Sequence, residues 1–206
     1  MKKIGTLILM AMLSAFLFCG CVEEAADKKP VIYLYPTEKT QVSVTLDYDG
    51  KLTATYPTYN NGWNVTAYPD GTLLDSTGRE YYCLFWEGVR KVEYNFDQGF
   101  CVKGSETRAF LETALAKLGL TDKEANEFMI YWLPQMEKKP YNVIAFQQDA
   151  YTQNAKLNIS PAPDSILRVF MAYKAADKPV DIAPQELAEF NRVGFTVVEW
   201  GGCEVK

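Results

Sequence analysis

The run Pro30-Val31-Ile32-Tyr33-Leu34-Tyr35-Pro36 most constrains what this chain can become. An apolar, β-favouring stretch sits between two prolines, and a proline cannot donate to a backbone ladder. The segment therefore reads as a strand with sharply defined ends. It is also the first stretch after the N-terminal leader that can enter a core.

The leader has the layout of a signal peptide. Lys2 and Lys3 form a basic start, and Ile4 to Phe18 is apolar, with Thr6 and Ser14 as polar interruptions. A membrane-spanning helix takes roughly 20 apolar residues, so this run is short for one. It closes on Phe18-Cys19-Gly20-Cys21. A small residue directly before a cysteine resembles the lipobox of prokaryotic lipoproteins, in which the thiol is acylated and becomes the new N-terminus. The match falls on Gly20 and Cys21, and Phe18 departs from the Leu usual in that family. No Ala-x-Ala pattern marks ordinary signal-peptidase cleavage. The expectation is a signal peptide over residues 1–20, a lipid anchor at Cys21 and a place on the extracytoplasmic face of the cell membrane. Plain secretion is the alternative. Val22 to Lys29 is charged and Ala-rich and reads as a disordered tether, with a reach of about 28 Å. A single domain is expected over residues 30–206.

Hydrophobic residues make up 48% of the chain, enough for a core in one domain of this length. The whole chain has 21 basic and 26 acidic residues. Loss of Lys2 and Lys3 with the leader takes its formal net charge from −5 to −7. A chain this acidic offers no patch for nucleic acid. Histidine is absent. That removes Ser-His-Asp and Cys-His catalysis and His-ligated zinc. No residue pattern calls for a metal or a cofactor. The acidic turns at Asp47-Tyr48-Asp49-Gly50 and Asp75-Ser76-Thr77-Gly78 read as hairpin turns rather than cation sites. Beyond the leader and anchor, Cys83, Cys101 and Cys203 remain. Cys83 and Cys101 lie on strands joined by a short connection and could pair, with Cys203 left over.

Short alternating segments punctuated by Gly, Pro and Asp run from residue 31 to 103, which predicts an antiparallel meander, sandwich-like if it folds on itself. Then the period changes. Ser105 to Leu118 and Thr121 to about Trp132 read as two helices joined by a Gly-Leu turn, the second opened by a Thr121–Glu124 capping box. Strands are expected over 141–147, 156–160, 165–173 and 195–200, and a short helix over 184–191. The fold class is α+β, a mostly antiparallel sheet covered by a central αα-hairpin and a short C-terminal helix.

Four segments belong together: Pro30 to Pro36; Gly62-Trp63-Asn64-Val65 with Tyr68-Pro69-Asp70-Gly71; Leu84-Phe85-Trp86-Glu87-Gly88; and Phe195 to Gly202. As a set they resemble a family of prokaryotic exported proteins of unknown function. The resemblance implies a boundary near residue 29 and lends no chemistry.

Trp86-Glu87-Gly88 and Glu199-Trp200-Gly201-Gly202 each place a carboxylate beside an indole at a strand end. If the two ends meet, Glu87 and Glu199 are the candidate catalytic pair of a hydrolase acting on envelope polysaccharide, since glycoside hydrolysis uses two carboxylates roughly 5–10 Å apart. If only the aromatics matter, Trp63, Trp86, Trp200, Tyr33 and Tyr35 line a surface that binds carbohydrate or an envelope protein. The plainer reading makes the indoles core and pairs each Glu with a scarce arginine, Arg90 or Arg168. The leading expectation is a lipid-anchored binding protein. A hydrolase and a purely structural envelope component are the alternatives.

Overall fold

The computed structural model describes residues 24–205. The leader and Cys21 lie outside the described residues. The chain is mixed α+β and mostly sheet, and its elements run in the order β1 (Glu24–Tyr35), β2 (Thr40–Tyr48), β3 (Lys51–Tyr56), β4 (Trp63–Ala67), β5 (Leu73–Leu74), β6 (Glu80–Tyr81), β7 (Leu84–Lys91) and β8 (Gln98–Lys103). Helices α1 (Thr107–Leu118) and α2 (Asp122–Met136) follow. The remainder is β9 (Tyr141–Phe146), α3 (Gln148–Asn154), β10 (Ala155–Ser160), β11 (Ser165–Ala176), β12 (Ala183–Pro184) and β13 (Thr196–Glu204).

The strands make two sheets. One has the order β12-β8-β9-β11-β13-β1-β7-β3 and the other β10-β2-β4-β5-β6. Successive strands from 31 to 103 are therefore dealt between two sheets instead of forming one meander. Most pairs are antiparallel, but β11 runs parallel to β13 and β12 to β8. One apolar cluster joins the large sheet to α1 and α2, and a second joins it to the small sheet. The period of two sorts side chains between them. On β1, Val31 and Tyr33 face the helices while Ile32 and Leu34 face the small sheet. All four are at most 1% exposed, which is why this central strand is apolar without a break.

Residues 24–29 correct the expectation of a tether. They form the first half of β1, with Glu24 to Asp27 paired against Lys91 to Gly88 of β7. Asp27 is fully buried and accepts from Arg90 Nε at 2.7 Å, Tyr94 Oη at 2.8 Å and Tyr48 Oη at 3.0 Å. Charged composition argued for solvent, but a buried arginine, a buried phenol and a half-buried one supply the partners that make burial possible. A bulge at Lys28-Lys29-Pro30, with Lys29 at φ 60°, then resets the register.

The end of α1 is set by Gly119, whose φ of 97° suits a residue without Cβ. The start of α2 is set by the capping box, Glu124 N donating to Thr121 Oγ1 at 3.4 Å and Thr121 N donating to Glu124 Oε2 at 2.8 Å. Such a cap contributes about 1 kcal/mol. The helix continues past Pro134 to Met136, two residues into its last turn.

The short helix expected over 184–191 is absent. Pro184 instead belongs to the two-residue strand β12. Gln185 bridges the backbone of Phe146, donating to its O at 2.8 Å and accepting from its N at 2.9 Å. Those bonds hold the segment extended against β9. Two-residue pieces apart, every strand of the large sheet begins or ends at one of two edges. β1, β3 and β9 begin where β7, β8, β11 and β13 finish, and the opposite end is where β1 delivers Tyr35.

Candidate functional site

Glu199 lies on β13 opposite Ile32, and Ile32 in turn pairs with Leu84 of β7. Directly paired residues share a face, so Glu199, Leu84 and Trp86 all point toward the small sheet. Glu199 is fully buried there. Its Oε1 accepts from Trp86 Nε1 at 3.0 Å and its Oε2 from Arg168 Nε at 2.6 Å. The Arg168 guanidinium stacks 4.7 Å from the centre of the Tyr151 ring, and Tyr151 stacks on Phe170 at 4.2 Å. Burial, and then the Glu199 carboxylate, push the Tyr151 phenol well above its ordinary range.

Glu87 is one residue past Trp86 and so faces the other way. It accepts from Lys28 Nζ at 3.0 Å and from the backbone N–H of Lys29 at 3.1 Å, which staples the bulge in β1. The two carboxylates therefore stand on opposite faces of one sheet and cannot act on one bond. The pairing of glutamate with arginine is realised by Glu199 and Arg168. Arg90 goes to Asp27 instead.

The aromatic residues are interior as well. Trp63, Trp86 and Trp200 are 3%, 0% and 0% exposed. Trp63 Nε1 donates to Pro57 O at 2.8 Å, and Trp200 Nε1 to Tyr33 Oη at 3.3 Å. Tyr33 is buried and donates to Glu127 Oε2 at 2.7 Å. Tyr35 is half-buried beside Tyr33 and under Arg192. These five residues build the core and its polar joints, so the surface expected from them does not exist in that form. Large amphipathic rings reach a buried hydrogen-bond partner and then have no reason to face water.

Cys83, Cys101 and Cys203 are all free thiols. Cys101 is on β8 and Cys83 immediately precedes β7, and four strands lie between those two in the sheet. At about 4.8 Å per strand the separation is roughly 24 Å, far beyond disulfide reach. Burial, and then the Glu127 carboxylate, push the Cys83 thiol up to about 12. Burial, and then Asp27, do the same for Cys203. Neither is a thiolate at neutral pH. Asp75, in one of the acidic turns, is occupied by Thr77 and Arg79 backbone N–H groups and by the Tyr81 hydroxyl.

A concave surface lies elsewhere, on the small-sheet side of the large sheet beside the start of β11. A groove of about 570 Å³ is bounded by α3, β10, the first residues of β11 and the segment around Glu189. Gln148, Asp149, Lys156 and Glu189 offer polar groups, Ile166 and Phe190 offer apolar walls, and Arg168 reaches it from the buried network. Gln148 and Asp149 also border a second groove of about 570 Å³ that includes Asn95, Asp97 and Gln185. Sequence reasoning placed Arg168 correctly as a partner for a buried Glu and missed its second role. The other groove residues come from weakly patterned segments that meet only in three dimensions. Among the described residues no helix is long and apolar enough to cross a membrane.

No family model matches the chain, and no solved structure matches it. It is 45% identical over 95 residues to the "Uncharacterized protein in bglA 3'region" of Butyrivibrio fibrisolvens, a match over 42% of this chain and 97% of that relative. On that coverage, the chain belongs to the same family as the Butyrivibrio fibrisolvens protein.

Proposed function

We propose that this chain is an extracytoplasmic lipoprotein, anchored at Cys21, whose domain binds a polar ligand in the groove beside α3. The observation that carries the binding reading is the groove itself. Its volume of about 570 Å³ falls within the roughly 300–1,000 Å³ that small-ligand sites occupy. Its walls carry both signs of charge, together with an amide and an apolar flank. That mixture favours a ligand rich in hydroxyl groups and without net charge, such as a fragment of envelope glycan. Arg168, held by Glu199 and 9% exposed, forms part of the groove wall. The leader supports the location, because it directs the chain to the compartment where such glycans are.

The test is an array of envelope oligosaccharides probed with the soluble domain and with a Gln148→Ala/Lys156→Ala variant. Both side chains border the groove and neither takes part in the buried ion pairs. Retention of one glycan class by the wild type, reduced at least about tenfold by the double change, is expected from the loss of two hydrogen-bonding groups at ~1 kcal/mol or more each. Equal retention by both proteins, or none by either, refutes the groove as the site.

A further inference from the structure

We infer that the end of the large sheet where β1 begins lies flat against the bilayer, so that its lysines meet lipid headgroups while the end where β1 delivers Tyr35 faces away. The inference rests on the lipid anchor at Cys21. It follows from how little chain separates that residue from the folded domain. Glu24 is already the first residue of β1, and Asp27 is fixed inside the core by Arg90, Tyr94 and Tyr48. Three residue steps from Cys21 to Glu24 reach at most about 11 Å. A longer flexible tether would let the domain tumble above the surface, but this one holds the start of β1 at the depth of the headgroups.

The strand pairing decides what else is brought down with it. Lys91, the last residue of β7, pairs directly with Glu24. Lys51 opens β3, Lys103 closes β8, Lys138 and Lys139 precede β9, and Lys178 follows β11 by two residues. All are at the same end of the sheet, and all but the half-buried Lys139 are exposed. Asp49, Glu93, Glu106, Glu137, Asp177 and Glu204 stand among them. Lys103 pairs with Glu106 at 3.3 Å and Lys139 with Glu204 at 3.2 Å. Lysines and carboxylates thus nearly cancel at this end, in a chain that is strongly acidic as a whole. The excess negative charge lies toward the opposite end. A surface of anionic headgroups repels that end and tolerates this one, and lysine stems are long enough to reach phosphates from a strand end.

Amine acylation in vesicles tests the orientation. The lipidated protein is reconstituted into phosphatidylethanolamine/phosphatidylglycerol vesicles and treated with a water-soluble acylating reagent, beside a soluble Cys21→Ser protein. Labelling at each lysine is read by mass spectrometry. Lys51, Lys91, Lys103 and Lys178 are expected to lose most of their reactivity on the vesicle. Lys39, Lys117 and Lys123, at the other end, should keep theirs. Flotation with the vesicles but even labelling of both sets, or protection of the second set, overturns the orientation and leaves the anchor standing. Failure of the wild type to float overturns the anchor and the orientation with it.

Discussion

Replacing Asp27 by alanine measures how firmly residues 24–29 belong to the domain. The carboxylate is fully buried, and the Arg90 side chain that faces it is 1% exposed. The change leaves a guanidinium and two phenols in the core without their shared acceptor. Breaking a buried pair from one side costs about 3–5 kcal/mol, out of the roughly 5–15 kcal/mol that holds a domain together. With a urea slope of about 2 kcal/mol/M, the unfolding midpoint should fall by roughly 2 M. Urea titration of a soluble form lacking residues 1–21, followed by tryptophan fluorescence, reads this directly. Lys28→Ala is the control from the same stretch. Its bridge to Glu87 is 42% exposed on the lysine side and should cost under about 1 kcal/mol. Replacing both partners, Asp27→Leu with Arg90→Met, should recover part of the loss, because no charge is then stranded. An Asp27→Ala midpoint as close to wild type as that of Lys28→Ala would show that the stretch is a tether after all, and the short reach to the bilayer would go with it.

Three further outcomes follow from the packing. Iodide should barely quench the four tryptophans of the folded protein, since Trp63, Trp86, Trp132 and Trp200 are 3% exposed or less, and a steep Stern–Volmer slope would put an indole back on the surface. Gly202→Ala should cost roughly 1–3 kcal/mol in urea unfolding, because its Cβ would lie 2.6 Å from Met171 O and 2.7 Å from Trp132 Cζ2, and a near-neutral result would contradict that close approach. Stability should fall as pH rises through the alkaline range. Cys203 ionises near 8.5–9 when unfolded and only at about 12 when folded, so its contribution is intact below pH ~8.5 and is progressively lost toward pH 12. At pH 10.5 that loss is about 2 kcal/mol. The drop in urea midpoint between pH 8 and pH 10.5 should be smaller in Cys203→Ala, and an identical drop would refute the assignment.

Local signals in the chain were sufficient for local structure. Alternation in Val42, Val44 and Leu46 marked β2, and Thr121 with Glu124 marked the start of α2, because each depends on residues a few positions apart. The apolar run from Val31 to Tyr35, framed by prolines, was legible as a strand, and its unbroken hydrophobicity fits burial on both faces. The scarcity of arginine pointed to buried pairs. Composition placed Val22 to Lys29 in solvent, however, because the groups that bury Asp27 lie 63 and 67 residues away, at Arg90 and Tyr94.

The candidate site shows the division most sharply. Trp86-Glu87 and Glu199-Trp200 look equivalent as text, and each strand alternates its faces. Which face each residue takes depends on register, and register is set by Ile32 standing between Leu84 and Glu199. That one alignment sends Trp86 and Glu199 to the same side, where they bond each other, and sends Glu87 to the other. The sequence by itself determined most of the strands and the cap of α2, whose physics is local. Only the tertiary structure decided which carboxylates meet, which indoles are dry and where the groove opens, because a shift of one residue in pairing exchanges every side chain between the two faces of a sheet.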